Sequence, residues 1–250
     1  MKKITIIGGC GVIGRLLTKA LSTEYSVTII DLTSCVEGVI LADAANEQNI
    51  YEAIPRDTDV ILHLLNMDMT HDVMDHEEFA KMTDIFWRST YYMFRSAARL
   101  GIRKVIFASS NHVTDRYEEN GRSLLGRQIT TDDVPATKNV YGILKFASEQ
   151  LGRLFHDQSG MSVINLRIGT VVTDEMKALH KKQRTKRTLL SHEDLTGMIK
   201  AAIETDILFG TFYAVSENEE KPWSTEKTKQ ELGYEPDVNT TEILGDNDQA

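Results

Sequence analysis

At 250 residues, with 41% apolar and 26% charged side chains, the chain has the length and core-forming content of one α/β domain or two small ones. A formal net charge of −9 argues against a dedicated nucleic-acid or acidic-membrane surface, because those partners attract basic proteins. No apolar run reaches 18 residues, and Met1-Lys2-Lys3 passes straight into Ile4-Thr5-Ile6-Ile7, too short for a signal segment, so the expectation is a soluble, cytoplasmic protein.

The first strand is predicted over 3–8 and runs into Gly8-Gly9-Cys10-Gly11-Val12-Ile13-Gly14, followed by a helix over 11–22. Glycines permit a tight turn and close approach of backbone to a pyrophosphate, and the helix start offers free N–H groups to its charge. Gly8, Gly11, Val12, Ile13 and Gly14 are therefore candidate cofactor residues. A plain strand-to-helix turn would need glycines as well, but a second strand over 26–31 ends on Asp31, twenty residues beyond Gly11. An acidic side chain there accepts from both hydroxyls of an adenosine ribose. Leu32-Thr33-Ser34 brings no Arg or Lys for a 2′-phosphate, which favours NAD over NADP. Asp43 follows a third strand (38–41) and reads equally as an adenine contact or a solvated loop aspartate. Cys10 and Cys35 fit no metal spacing and no disulfide framework, and Cys10 reads as a small packed residue.

Further strands are expected over 59–65, 104–109, 161–167 and roughly 210–215, with helices near 46–54, 76–100, 140–158, 192–204 and 225–233. Runs such as Val60-Ile-Leu-His63 and Val105-Ile-Phe-Ala108 are apolar on both faces, as in a parallel sheet covered above and below. Segments 113–136 and 172–190 lack clear periodicity. Both follow strands, at the carboxyl edge where open α/β sheets place ligands. Within the second, Lys181-Lys182-Gln183-Arg184-Thr185-Lys186-Arg187 reads as a solvated mobile loop or as the source of one arginine for an anionic substrate. The last fifteen or so residues, through Gly245-Asp-Asn-Asp-Gln-Ala250, read as a polar frayed tail.

Ser110, at the end of the fifth strand, can bind a reacting oxygen, although a serine turn would look the same. Tyr141 and Lys145 lie one helical turn apart, so an ammonium sits beside a phenol and favours its ionised form. The phenol can then move a proton nearer neutrality. Ile143, Leu144, Ala147, Leu151 and Leu154 give this helix a core face distinct from the Tyr141/Lys145 face.

The order of glycine loop, strand-end Asp31, Ser110 and Tyr141-x-x-x-Lys145 resembles the extended short-chain dehydrogenase/reductases of the NAD-dependent epimerase/dehydratase family, over nearly the whole chain. Phe107-Ala-Ser-Ser-Asn-His112, Arg167-Ile168-Gly169 and Ser191-His192-Glu193-Asp194 are similar to the bacterial uronate dehydrogenases. The resemblance implies a Rossmann-type doubly wound parallel sheet with a small carboxyl-terminal substrate lobe from segments around 170–190 and 207–240. It also implies NAD as cofactor, with Tyr141 as base, Ser110 on the reacting oxygen, and Lys145 on the nicotinamide ribose. Leu64 would border the cofactor, Asn111, His112 and Thr170 would hold sugar hydroxyls, and Arg184 would pair with a uronate carboxylate. Leu65-Asn66 and Asp68 depart from the uronate enzymes, and no asparagine stands near Phe86-Trp87 where the extended group carries one. The expected activity is NAD-dependent oxidation of a sugar-like alcohol, in its sharpest form a hexuronate at C1. A nucleotide-sugar epimerase or dehydratase that retains NAD, and a non-catalytic NAD-binding regulator, stay open. The aromatic helix 76–100 is also compatible with a homodimer seam.

Overall fold

The computed structural model describes residues 1–70 and 72–244. Five strands of four to seven residues carry most of the sheet: β1 (Lys3–Ile7), β2 (Ser26–Asp31), β4 (Val60–His63), β5 (Lys104–Ser110) and β8 (Ser162–Ile168). The two-residue β3 (Ile40–Leu41) and the six-residue β9 (Phe209–Ala214) close its edges, in the order β3-β2-β1-β4-β5-β8-β9. Every pairing in this sheet is parallel. The strand order reverses beside β1, so a crevice opens beyond the carboxyl ends of β1 and β4, the usual ligand position in such sheets.

Two apolar layers cover the sheet because alternate residues of each strand point to opposite faces. Leu62 and Ile106 pack with Leu17 and Leu21 of α1 (Val12–Leu21) and with Leu195, Met198 and Ile199 of α8 (His192–Glu204). Ile61 and Val105 pack on the other face with Ile50 of α2 (Glu47–Ala53), Met93 and Phe94 of α4 (Ser89–Leu100) and Leu151 of α5 (Val140–Ser159).

The stretch expected as one helix over 76–100 is interrupted. α3 (His76–Met82) passes into a π-helical segment, Thr83–Arg88, before α4. Hydroxyls take the carbonyls of that turn: Thr90 Oγ1 donates to Phe86 O at 2.8 Å, and Ser148 Oγ of α5 donates to the same oxygen at 2.7 Å. Such bulges insert one residue into the helical ladder, and here Phe86 of the bulge packs against Tyr141 of α5.

The two aperiodic segments are ordered, in elements too short to show a period. A 3₁₀ turn, Asn111–Tyr117, leads into the hairpin β6 (Glu118–Glu119) and β7 (Arg122–Ser123). The basic run is helical rather than a loop. α6 (Glu175–Lys181), capped by the Asp174 carboxylate, is followed by α7 (Gln183–Thr188), and a bridge between Thr170 and Leu189 returns the segment to the sheet. Within the expected tail, Asn239 accepts from Thr241 N–H at 3.0 Å ahead of α9 (Thr240–Leu244), and the Thr240 hydroxyl donates to Lys186 O. Residues 245–250 of that tail lie outside the described residues. Among the described residues, no helix is long and apolar enough to cross a membrane.

Candidate active site

Gly8 leaves β1 with φ +86°, a conformation that side chains with a Cβ rarely adopt, and a Cβ there would lie 3.0 Å from the Leu64 carbonyl carbon. Beneath it, a Cβ on Gly14 would meet the Cα and O of Gly9 at 2.5 Å, so β1 and α1 touch backbone to backbone. Gly11 starts α1 without any side-chain cap, which leaves the first-turn N–H groups to a ligand. Gly8, Gly11, Val12 and Ile13 line a cleft of about 600 Å³; Gly14 shapes it from below.

Asp31 closes one end of the cleft. Its carboxylate accepts from the Cys10 N–H at 2.9 Å and the Thr33 N–H at 3.1 Å, which aims it across the opening. Asp43, held by the Ala45 N–H at 2.8 Å, also lines the cleft, as do Leu64 and the departing residues Leu65, Asn66 and Asp68. An uncapped helix start and a fixed carboxylate, one at the pyrophosphate position and one at the ribose position, suit a dinucleotide without a 2′-phosphate. The cysteines correct the sequence reading. Cys10 and Cys35 form a disulfide with Cα atoms 5.5 Å apart. Parallel pairing of β1 with β2, continued by Gly8 N–H donating to Ile30 O, lays their following loops side by side, and the bond joins them.

At the other end stand Ser110, Tyr141 and Lys145, all on the cleft wall. Asn139 caps α5 by accepting from the Gly142 N–H at 2.8 Å, which fixes the turn that carries Tyr141. Burial pushes the Tyr141 phenol up to about 12, and the neighbouring Ser110 side chain opposes that rise. Lys145 is buried, donates to Ala108 O at 2.7 Å, and lies over the rings of Phe107 and Phe86 at 4.9 and 5.0 Å. Burial pulls it down to about 7, with Glu149 opposing. The Phe86 ring meets Tyr141 edge-on at 4.9 Å, at the place where the extended group has an asparagine nearby.

The remaining candidates lie outside the cleft wall. Asn111 is buried, and its Oδ1 accepts from the Ser110 hydroxyl at 3.3 Å, so it supports the serine. His112 packs edge-on to Tyr141, with Nδ1 held by the buried Asp115 carboxylate at 2.8 Å. Asp115 also accepts from Asn139 Nδ2 at 3.1 Å and thus ties His112 to the α5 cap; nothing in the loop's sequence singled it out. Thr170 bonds Thr188 at 2.8 Å, and Thr188 donates to the carbonyl of Arg184. The Arg184 guanidinium is engaged by the buried carboxylate of Glu118, through Nη2 at 2.9 Å and Nε at 3.1 Å. Arg187 pairs likewise with Glu220.

The model of the NAD dependent epimerase/dehydratase family matches residues 4–204. The chain belongs to that family. It is an NAD-dependent enzyme. It is 57% identical to the uncharacterized protein YtbQ of Bacillus subtilis, over 100% of both chains. It is 27% identical to the NAD-dependent glucose-6-phosphate dehydrogenase of Haloferax volcanii, over 96% of this chain and 95% of that one. The crystal structure of uronate dehydrogenase from Agrobacterium tumefaciens superposes with a TM-score of 0.82 at 21% identity, covering 97% of this chain and 87% of that chain, which shows a common fold.

Proposed function

We propose that this family member oxidises a sugar alcohol group, in its sharpest form the anomeric carbon of an aldose or hexuronate, and passes the electrons to NAD. One observation carries the reading: Ser110, Tyr141 and Lys145 line the same cleft as the glycine loop and Asp31. NAD, when bound, supplies the hydride acceptor, with Gly8, Gly11, Val12 and Ile13 at its pyrophosphate, Asp31 at the adenosine ribose, and Asp43 and Leu64 along its length. Tyr141 takes the proton of the sugar hydroxyl, and Ser110 orients that oxygen. A charged Lys145 favours the phenolate that this transfer requires. The relatives that act on glucose 6-phosphate and on uronates support a sugar substrate. Glu118 already fills the Arg184 guanidinium, which weighs against an acid group there and puts uncharged aldoses ahead of hexuronates.

The test is NADH absorbance with neutral aldoses, sugar phosphates, glucuronate and galacturonate, with NAD and NADP in parallel. Turnover on one sugar class with NAD, abolished in Tyr141→Phe, is expected. If a uronate is the substrate, Arg184→Ala should chiefly raise KM. A protein that binds NAD yet reduces none of it with any sugar would overturn the reading.

A further inference from the structure

Three side chains of α5 meet the end of β5 in sequence. Tyr141, Lys145 and Glu149 are spaced four residues apart and share one helix face. Tyr141 meets Ser110, Lys145 takes the carbonyl of Ala108, and the Glu149 carboxylate accepts from the Ser109 hydroxyl. Glu149 is 2% exposed and receives two bonds from Arg167, Nε to Oε1 and Nη2 to Oε2, each 2.9 Å. Arg167 stands on β8 directly opposite Ser109 in the strand register, and its Nη1 donates to the Tyr213 hydroxyl at 3.4 Å.

A buried ion pair gives little net stability, because desolvating both charges offsets their attraction. This pair lies one helical turn from the Lys145 ammonium, whose described partners are one carbonyl and three aromatic faces. The other titratable groups around the lysine offer it no counter-charge. His63 on β4 is buried with its pKa depressed to about 3, so it is neutral. Asp84 and Arg88, on the π-helical turn that presents Phe86, pair with each other at the surface. Asp115 is engaged by His112.

We propose that Glu149, fixed by Arg167 and Ser109, is a positioning residue that keeps Lys145 protonated beside Tyr141. The inference rests on the dehydrogenase reading given above. Its direction agrees with the lysine's own balance, in which burial lowers the pKa and Glu149 raises it.

The productive state is phenolate with ammonium. At acid pH its population depends only on ionising Tyr141 beside a charged Lys145. At alkaline pH it depends on Lys145 holding its proton. Weakening that hold therefore cuts only the alkaline side. In Glu149→Gln, kcat/KM at about pH 9–10 should fall about tenfold relative to the parent, the equivalent of about one pKa unit on Lys145, with rates near pH 5 unchanged. Arg167→Met retains the carboxylate, so its alkaline limb should stay in place or move to higher pH. Should a single variant fail to fold, Glu149→Gln/Arg167→Met removes both charges of the pair together and should show the alkaline loss alone. Rates that scale down equally at all pH values, or limbs that move the same way in Glu149→Gln and Arg167→Met, would reduce the pair to a structural tie and overturn the inference. Absence of turnover in the parent would remove the dehydrogenase reading and this inference with it.

Discussion

Gly14→Ala isolates the contact that shapes the cofactor cradle. The added methyl would lie 2.5 Å from the Cα and O of Gly9 and 2.6 Å from the O of Gly8. These are backbone atoms and cannot rotate away. Ordinary contact begins near 3.4 Å, so α1 has to retreat from β1 by almost an ångström. It cannot do so freely, because Leu17 and Leu21 on the same helix are fully buried. Overpacking of this kind costs about 1–3 kcal/mol, partly offset by alanine's better helix propensity. A net loss of about 2 kcal/mol corresponds to a Tm lower by about 4–8 °C in a chain of this size. The same retreat displaces the first-turn N–H groups, so NAD affinity should fall at least about tenfold, or about 1.4 kcal/mol. Gly11→Ala is the control: its methyl would meet only Gly8 O, at 3.5 Å. It should keep Tm within about 3 °C and still weaken NAD binding, because the methyl enters the cleft. Thermal unfolding and calorimetric NAD titration measure both quantities. A Gly14→Ala protein with the parent's Tm and NAD affinity would refute the reasoning.

His63 is buried, stacks on Phe107, and has no hydrogen-bond partner for either ring nitrogen among the described residues. Burial, helped by the Lys145 charge, holds its pKa at about 3 against 6.5 unfolded, so between those values the unfolded chain binds the extra proton and stability falls as pH falls. About 2 kcal/mol should be lost at pH 5, and urea unfolding of His63→Phe should show a correspondingly smaller loss from pH 7 to pH 5. The Cys10–Cys35 bond closes a loop of 25 residues. Reduction should lower stability by about 3 kcal/mol, and thermal melts with and without a phosphine reductant should show a drop that Cys35→Ser reproduces and reductant no longer changes. Asp31→Ser removes the proposed ribose acceptor, so NAD affinity should fall about 10- to 100-fold while NADP, no longer facing a carboxylate, loses less. Parallel titration of the two nucleotides reads that difference.

The strands were legible because they are short runs, several of them apolar on both faces, as Val60–His63 shows. The glycine loop, Asp31, Ser110, Tyr141 and Lys145 were legible because strand ends and one helix bring them to a common edge. What escaped depends on contacts between distant segments. The disulfide follows from β1 and β2 lying parallel, which no cysteine spacing reveals. The hairpin at Glu118–Ser123 and helices α6 and α7 are too short for a periodic signal. The π-helical turn at Thr83–Arg88 is invisible in a pattern that reads as a continuous helix. The fourfold spacing that marks Tyr141 and Lys145 also reaches Glu149, but only the β5–β8 register supplies the arginine that makes it informative.

With Arg184 as the proposed seat of a substrate acid, its pairing with Glu118 has a further consequence for selectivity. A tethered carboxylate acts as a permanent rival, present at an effective concentration set by the fold rather than by the medium. A free acid must evict it and leave a desolvated anion behind, whereas a neutral guest faces no such contest. Discrimination of this kind needs no clash with the rejected molecule, only a seat already taken.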